Sequence, residues 1–351
     1  MAKPEDNPNY KPPLSALETP AFEGTILGMS SRRKFITASG TALLAACLPR
    51  TFAAEKSYTL GMIAKSQGNP FFEAARVGAL DGAKAMSSKH GIKVVIDWRT
   101  PNEEDAQKQA ATIEQLVLNG VHGIIVSCSD ANKLTGAINN AVKQGIPVVT
   151  FSGDAPTSQR MVALGIDDFA CGAQVMEELA KLLKGKGVVA AIDGNPNAVN
   201  LQQRAAGFKK AGEKFPGISI KGVFYHKETP QDAVAKIEQV MQANPEINGW
   251  ALLGGWPLFT QNALKWPPGT IQCVAVDALP PELDYVRSGH VQMLLSQDVY
   301  GYGYKAVEHL VNQLHLKKAP PKALDNTPLT LVGKDNVEAF AKNWEKWLPK
   351  N

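Results

Sequence analysis

The sequence predicts an α/β protein of two similar lobes, each a parallel sheet covered by helices. Three observations carry this. Short β-type runs alternate with amphipathic helical patterns from Tyr58 onward, and strict alternation of that kind implies βαβ units. The alternation breaks near Leu164–Asp168 and restarts with a second set of similar size. The chain has 351 residues, 44% of them hydrophobic and 7% aromatic, enough for two core-bearing lobes.

The first lobe opens with the apolar run Tyr58 to Ala64, followed by Asn69-Pro70-Phe71-Phe72 at the head of a long helical pattern. Ile92 to Trp98 is a strand. Glu103 to Asn119 carries apolar residues at helical spacing (Ala106, Ala110, Ile113, Leu116, Val117) and stops at Asn119-Gly120. Gly123 to Val126 is a strand, Ala131 to Gln144 a helix, and Ile146 to Phe151 the next strand. Val162 to Gly165 is a short strand ahead of a helix from about Phe169 to Leu183. In the second set the strands are Val188–Asp193, Ile218–Tyr225, Gly249–Leu253, Ile271–Val276 and Val291–Ser296. The helices are Asn200–Lys214, Asp232–Ala243 and Val299 to about Leu316. Pro328 to Asn351 holds a strand-like Leu329–Val332 and a closing amphipathic helix with Trp344 and Trp347.

In open parallel sheets, ligands bind beyond the C-terminal ends of the strands, and two facing lobes form a cleft there. Lys65, Ser66, Gln67, Asn69, Phe71 and Phe72 follow the first strand. Ser127, Ser129 and Asp130 follow the third, and Ser152, Gly153 and Asp154 the fourth. In the second lobe Asp193, Asn195, Asn197, Asn200 and Gln202 follow one strand, Trp256 another, Asp277 a third, and Gln297 with Asp298 a fourth. Amides and carboxylates offer planar pairs of hydrogen-bonding atoms that match neighbouring sugar hydroxyls, and aromatic rings stack on the apolar sugar faces. Phe71 and Phe72 have two readings, as core residues stapling helix to sheet or as rings lining the crevice. Asp130 is read as the cap of the helix it precedes, and Asp167 and Asp168 stand at the next helix start. Arg204, inside a helix, is assigned to a surface or lobe-bracing ion pair.

Other chemistries find no support in these residues. Gly61 and Gly68 do not form a dinucleotide fingerprint, and there is no P-loop. Ser152 beside Asp154 lacks a histidine partner, and the six histidines are scattered, so no catalytic residue is assigned and an enzyme is not expected. The four cysteines (Cys47, Cys128, Cys171, Cys273) form no CxxC and no Cys/His cluster. No metal and no cofactor are expected. Lys and Arg exceed Asp and Glu by 37 to 33, a net +4 with no basic tract interleaved with aromatics, which argues against nucleic acid.

Residues 1–53 are read as an address segment. After a polar, Pro-rich start comes Ser31-Arg32-Arg33-Lys34-Phe35 and the apolar run Ile36 to Leu48. This resembles the bacterial twin-arginine export signal, and it is too short to span a membrane. Two readings of its end stand: cleavage at Thr51-Phe52-Ala53, which Pro49 suits, or a lipobox Leu44-Ala45-Ala46-Cys47 with Cys47 lipidated. Either places the mature protein in the periplasm.

Four motifs carry a wider resemblance: Gly68-Asn69-Pro70-Phe71-Phe72, Ile146-Pro147-Val148-Val149-Thr150-Phe151, Asn200-Leu201-Gln202-Gln203-Arg204-Ala205-Ala206-Gly207-Phe208, and Val274-Ala275-Val276-Asp277. From Ser57 to Val332 the chain resembles the periplasmic sugar-binding proteins of the ribose-binding type, solute receptors of ABC importers with the type I periplasmic-binding-protein fold. The resemblance implies a hinged, monomeric receptor that closes on one monosaccharide (a pentose, hexose or deoxy sugar) and delivers it to a permease in the inner membrane. It implies about three interlobe crossings, with lobes at 57–166 plus 298–326 and 167–297 plus 327–351. It places ligand contacts at Asn69, Phe71, Phe72, Asp277 and Gln297. Where the ribose receptor has an Asp-Arg pair, this chain has Ser152-Gly153 with Asp154 one step on. Gln202 is aligned with a second-lobe arginine, and Trp256 lies near an asparagine position. Lys65 replaces a serine, as in receptors for the autoinducer furanose and for rhamnose, so a receptor acting in signalling or chemotaxis is the alternative. Sugar repressors share this two-lobed core but begin with a helix-turn-helix, where this chain has an export signal.

Overall fold

The computed structural model describes residues 56–348. The twin arginines Arg32 and Arg33, Cys47, and residues 349–351 of the expected second lobe lie outside the described residues.

The elements are β1 (Ser57–Ile63), α1 (Pro70–His90), β2 (Lys93–Trp98), α2 (Ala106–Leu118), β3 (Gly123–Val126), α3 (Ala131–Lys143), β4 (Val148–Phe151) and β5 (Val162–Gly165). They continue with α4 (Asp168–Leu182), β6 (Gly187–Asp193), α5 (Val199–Gly212), β7 (Ile218–Tyr225), α6 (Pro230–Ala243), β8 (Gly249–Leu252), a 3-10 turn (Trp256–Phe259) and β9 (Gln272–Val276). The last are α7 (Pro280–Arg287), β10 (Met293–Ser296), α8 (Val299–Leu316), β11 (Leu324–Asn326), β12 (Thr330–Gly333), α9 (Val337–Ala341) and α10 (Trp344–Trp347).

Two six-stranded sheets result, ordered β11-β5-β4-β3-β1-β2 and β12-β10-β9-β8-β6-β7. Every pairing is parallel except β10 with β12. The central strands β3, β4 and β8 are buried at every residue, as expected for parallel strands covered on both faces. The helices bury one stripe each. In α3 it is Ala131, Leu134, Ala137, Ile138 and Ala141, a helical period of apolar residues. Cys128, Cys171 and Cys273 are free and buried.

The chain passes between the sheets three times. β5 leads into α4, which packs on α5 and β9; β10 leads into α8, which packs on α1 and β4; β11 and β12 lie in different sheets. The first of these passages falls at the Leu164–Asp168 break. Asp130 and Asp167 cap α3 and α4 with their side chains.

The sequence reading differs in three places. β11 has no apolar alternation, and Leu324 is exposed; the strand exists because it pairs with β5 and because Asp325 holds His309 at 3.0 Å. α7 begins at Pro280-Pro281, a pair that resembles a loop signal, although proline is well suited to a first helical turn. The single closing helix is two short ones, α9 and α10.

Both lobes bring a helix pair into backbone contact through glycine. A Cβ at Gly78 or Gly303 would lie 1.9 Å or 1.8 Å from a carbonyl oxygen across the α1–α8 contact. One at Gly172 or Gly207 would lie 1.9 Å from a carbonyl oxygen across the α4–α5 contact. Gly303→Val should therefore lower stability by about 1–3 kcal/mol or more, seen as a lower urea midpoint. Gly136, in α3, has open space around it, so Gly136→Ala should raise stability by roughly 0.5–1 kcal/mol. Equal effects at the two sites would contradict the packing described.

Candidate functional site

Each sheet reverses its strand order at its first strand. β1 lies between β2 and β3, and β6 between β7 and β8. The loops leaving those strand ends meet in a cavity between the sheets, the place where clefts between lobes form small-molecule sites.

Eight of the ten expected residues line it: Lys65, Asn69, Phe71, Phe72, Ser152, Trp256, Asp277 and Gln297. Asn69 caps α1, its Oδ1 accepting from Phe71 N–H at 3.0 Å. The cap fixes the two phenylalanines, whose rings meet edge-on at 5.3 Å. Phe72 also packs edge-on against Phe151. The two readings of this pair merge, since both rings belong to the core and both face the cavity.

Ser152 and Asp277 occupy equivalent places in the two lobes, directly after β4 and β9. Their backbone amides donate to Leu164 O at 2.8 Å and Leu295 O at 2.9 Å. Both have left-handed backbones, with φ of 56° and 85°. That conformation is uncommon for a residue with a Cβ and is found at binding sites. Asp277 Oδ1 accepts from Gln297 Nε2 at 2.7 Å, and Tyr302 OH donates to Gln297 Oε1 at 3.2 Å. Burial pushes the Asp277 carboxyl up, against the pull of Arg204 and the Gln297 hydrogen bond. Trp256 sits against Gly194 and Gly254, where a Cβ would meet the indole at 2.9 Å and 2.0 Å.

Asp154 and Gln202 are corrections. Asp154 is turned away into a two-pronged ion pair with Arg160 (2.6 and 2.7 Å) and also accepts from Thr150 Oγ1 at 2.6 Å. Gln202 is exposed and donates to Pro196 O at 2.7 Å. Helix geometry explains it. Asn200 and Arg204 are one turn apart on the inward face of α5, whereas Gln202 is turned about 200° from Asn200.

Arg204 forms the lobe-bracing ion pair expected of it and reaches the cavity as well. It is buried. Its Nε donates to Asp168 Oδ1 at 2.8 Å and its Nη1 to Leu253 O at 2.9 Å. Desolvation opposes its charge, but Asp168, Asp277 and their neighbours hold it firmly protonated. Asp168 is thus an ion-pair partner rather than a cap.

Asn200, expected at a strand end though not among the ligand contacts, also lines the cavity, together with Leu201, Glu228 and Phe259, which the sequence reading left out. Asn200 shares a helical face with Arg204, and its Oδ1 has no hydrogen-bond partner among the described residues. Glu228 follows β7, so the strand-end rule reaches it. Lys65 donates to Glu228 at 3.0 Å and lies 3.7 Å from Glu104. Burial lowers the Lys65 pKa, but the two glutamates outweigh it and raise the net value. Asp193, at the end of β6, is fully buried and pushed up to about 7 by that burial.

Charged and amide groups backed by rings, in a cavity between two hinged sheets, can close around a small polar molecule with apolar faces. Comparison with known proteins agrees. The chain is 30% identical over 259 residues to the D-ribose/D-allose-binding protein of Pseudomonas aeruginosa, covering 69% of this chain and 79% of that one. It is 24% identical over 273 residues to the ribose import binding protein of Bacillus subtilis, covering 77% and 86%. A solute-binding protein of an ABC transporter from Burkholderia graminis, solved with D-arabinose, superposes with a TM-score of 0.73 at 30% identity, over 80% of this chain and 96% of that one. The periplasmic binding protein domain matches residues 60–318, and the chain belongs to that family.

Proposed function

We propose that this protein is an extracytoplasmic receptor that captures a monosaccharide between its lobes and delivers it to an ABC importer in the inner membrane. The observation that carries this is the cavity itself. Four rings (Phe71, Phe72, Trp256, Phe259) stand among Asn69, Asn200, Arg204, Asp277 and Gln297. Rings take the apolar faces of a sugar, and the polar groups take its hydroxyls. Hydrogen bonds to the charged members contribute roughly 1.5–3 kcal/mol each. The similar proteins named for ribose and allose, and the one solved with D-arabinose, point to the same ligand class.

The contacts we assign are Lys65, Asn69, Phe71, Phe72, Ser152, Trp256, Asp277 and Gln297, joined by Asn200, Arg204 and Glu228. The protein acts by binding and closure, without turnover. Its rigid bodies are residues 57–166 with 298–326 and residues 167–297 with 327–348, moving as a monomer. No described helix is long and apolar enough to cross a membrane. Export follows the twin-arginine route to the periplasm, with the end of the signal either cleaved near Ala53 or anchored through Cys47.

A thermal-shift panel of monosaccharides and polyols tests the reading. A true ligand at a hundred times its Kd should add about 2.7 kcal/mol, and a flat panel would overturn it. With the ligand found, Asp277→Asn should weaken binding by about tenfold or more, while Gln202→Ala should leave it within about twofold. Equal losses would sink the site assignment.

Ionised Asp277 is the acceptor for ligand hydroxyls, so affinity is full above its pKa and falls as pH drops through it. Because burial raises that pKa, titration calorimetry should show the fall beginning above the ordinary carboxylate range of about 4. Asp277→Asn should remove it. Replacing Arg32 and Arg33 by lysine should leave the precursor in the cytoplasm on fractionation; normal export would refute the twin-arginine route.

A further inference from the structure

The lobes touch one another directly through a ring of polar contacts beside the cavity. Lys65, after β1, reaches across to Glu228, after β7, with Nζ 3.0 Å from Oε1 and 3.3 Å from Oε2. Asn195, after β6, reaches back. Its Nδ2 donates to Ser129 O at 3.3 Å and to Glu104 Oε1 at 3.2 Å. The ring closes within each lobe: Lys65 Nζ lies 3.7 Å from Glu104 Oε1, and Asn195 N–H donates to Glu228 Oε1 at 3.4 Å. The Lys65 and Glu228 side chains are only 5% and 8% exposed. Next to them Val199, at the start of α5, packs on the apolar cluster of α2, α3 and β3 in the opposite lobe.

We propose that Lys65–Glu228 is an interlobe latch that populates the closed form in the absence of ligand. Lys65 and Glu104 ride on one sheet, and Glu228 and Asn195 on the other. Opening the cleft must break every cross-lobe link at once. A buried ion pair gains Coulomb energy and loses hydration in comparable amounts, so the latch is reversible rather than a lock. Its geometry makes Lys65 the keystone. It stands between two carboxylates from opposite lobes, and without it those carboxylates repel across the cleft. Without Glu228, Lys65 keeps Glu104 as a partner, and the lobes merely lose an attraction. The latch makes apparent affinity scale with the closed fraction.

The test is small-angle scattering on the ligand-free protein, wild type against Lys65→Met, Glu228→Gln and the double variant. Far-UV circular dichroism and urea unfolding check that each is folded. Wild type should contain a closed component. Lys65→Met should reduce it by about tenfold, more than Glu228→Gln does, and the double variant should recover part of the loss because the cross-lobe repulsion is gone. Two results would overturn the latch: a wild-type profile already as open as that of Lys65→Met, or folded single variants that both keep the wild-type profile.

Discussion

A guanidinium removed from water must find partners, or the fold that buries it does not form. Arg204 is that constraint here. It ties Asp168, the first residue of α4, to Leu253 just after β8 and to the field of Asp277. Three elements far apart in sequence are thereby fixed around one charge. The same residue forms part of the cavity wall, so the interaction that assembles the second lobe also presents a donor to the cavity. Asp277 depends on it, because a carboxylate so deeply buried is kept available by that neighbouring positive charge.

The first lobe solves the corresponding problem with small local devices. Asn69 caps α1 and aims two rings, and Ser152 takes the left-handed position that Asp277 takes in the other lobe. The Asp154–Arg160 pair, turned outward, leaves this wall without a strong charge besides Lys65. The polar work is therefore unevenly divided. The first lobe contributes mainly rings and an amide, the second mainly the ionised groups.

The fold was legible because its signal is periodic and repeated: buried β-runs such as Ile124–Val126 between helices with one apolar stripe can only stack as parallel layers. β11 was not, since its pairing with β5 depends on a partner about 160 residues away and not on its own side chains. Much of the site was legible because strand ends project into the crevice whatever the ligand. The misassigned residues lie where register matters. Choosing Gln202 over Arg204 required knowing which face of α5 turns inward, and the spacing of Asn200 and Arg204 held that information. Asp154 needed knowledge of Arg160, six residues on and turned back by the loop. Glu228 was passed over because its loop carries no aromatic or amide pattern to mark it.

The three passages between the sheets have a mechanical meaning. A single linker would let one lobe swivel, tilt or slide against the other. Three connections side by side, after β5, after β10 and between β11 and β12, suppress torsion and shear together. What stays soft is one rotation about the axis running through all three. Thermal energy is then channelled into a single coordinate, which leads straight to the encounter of opposite walls. The two half-sites cannot meet out of register, and every recognition event begins from the same alignment.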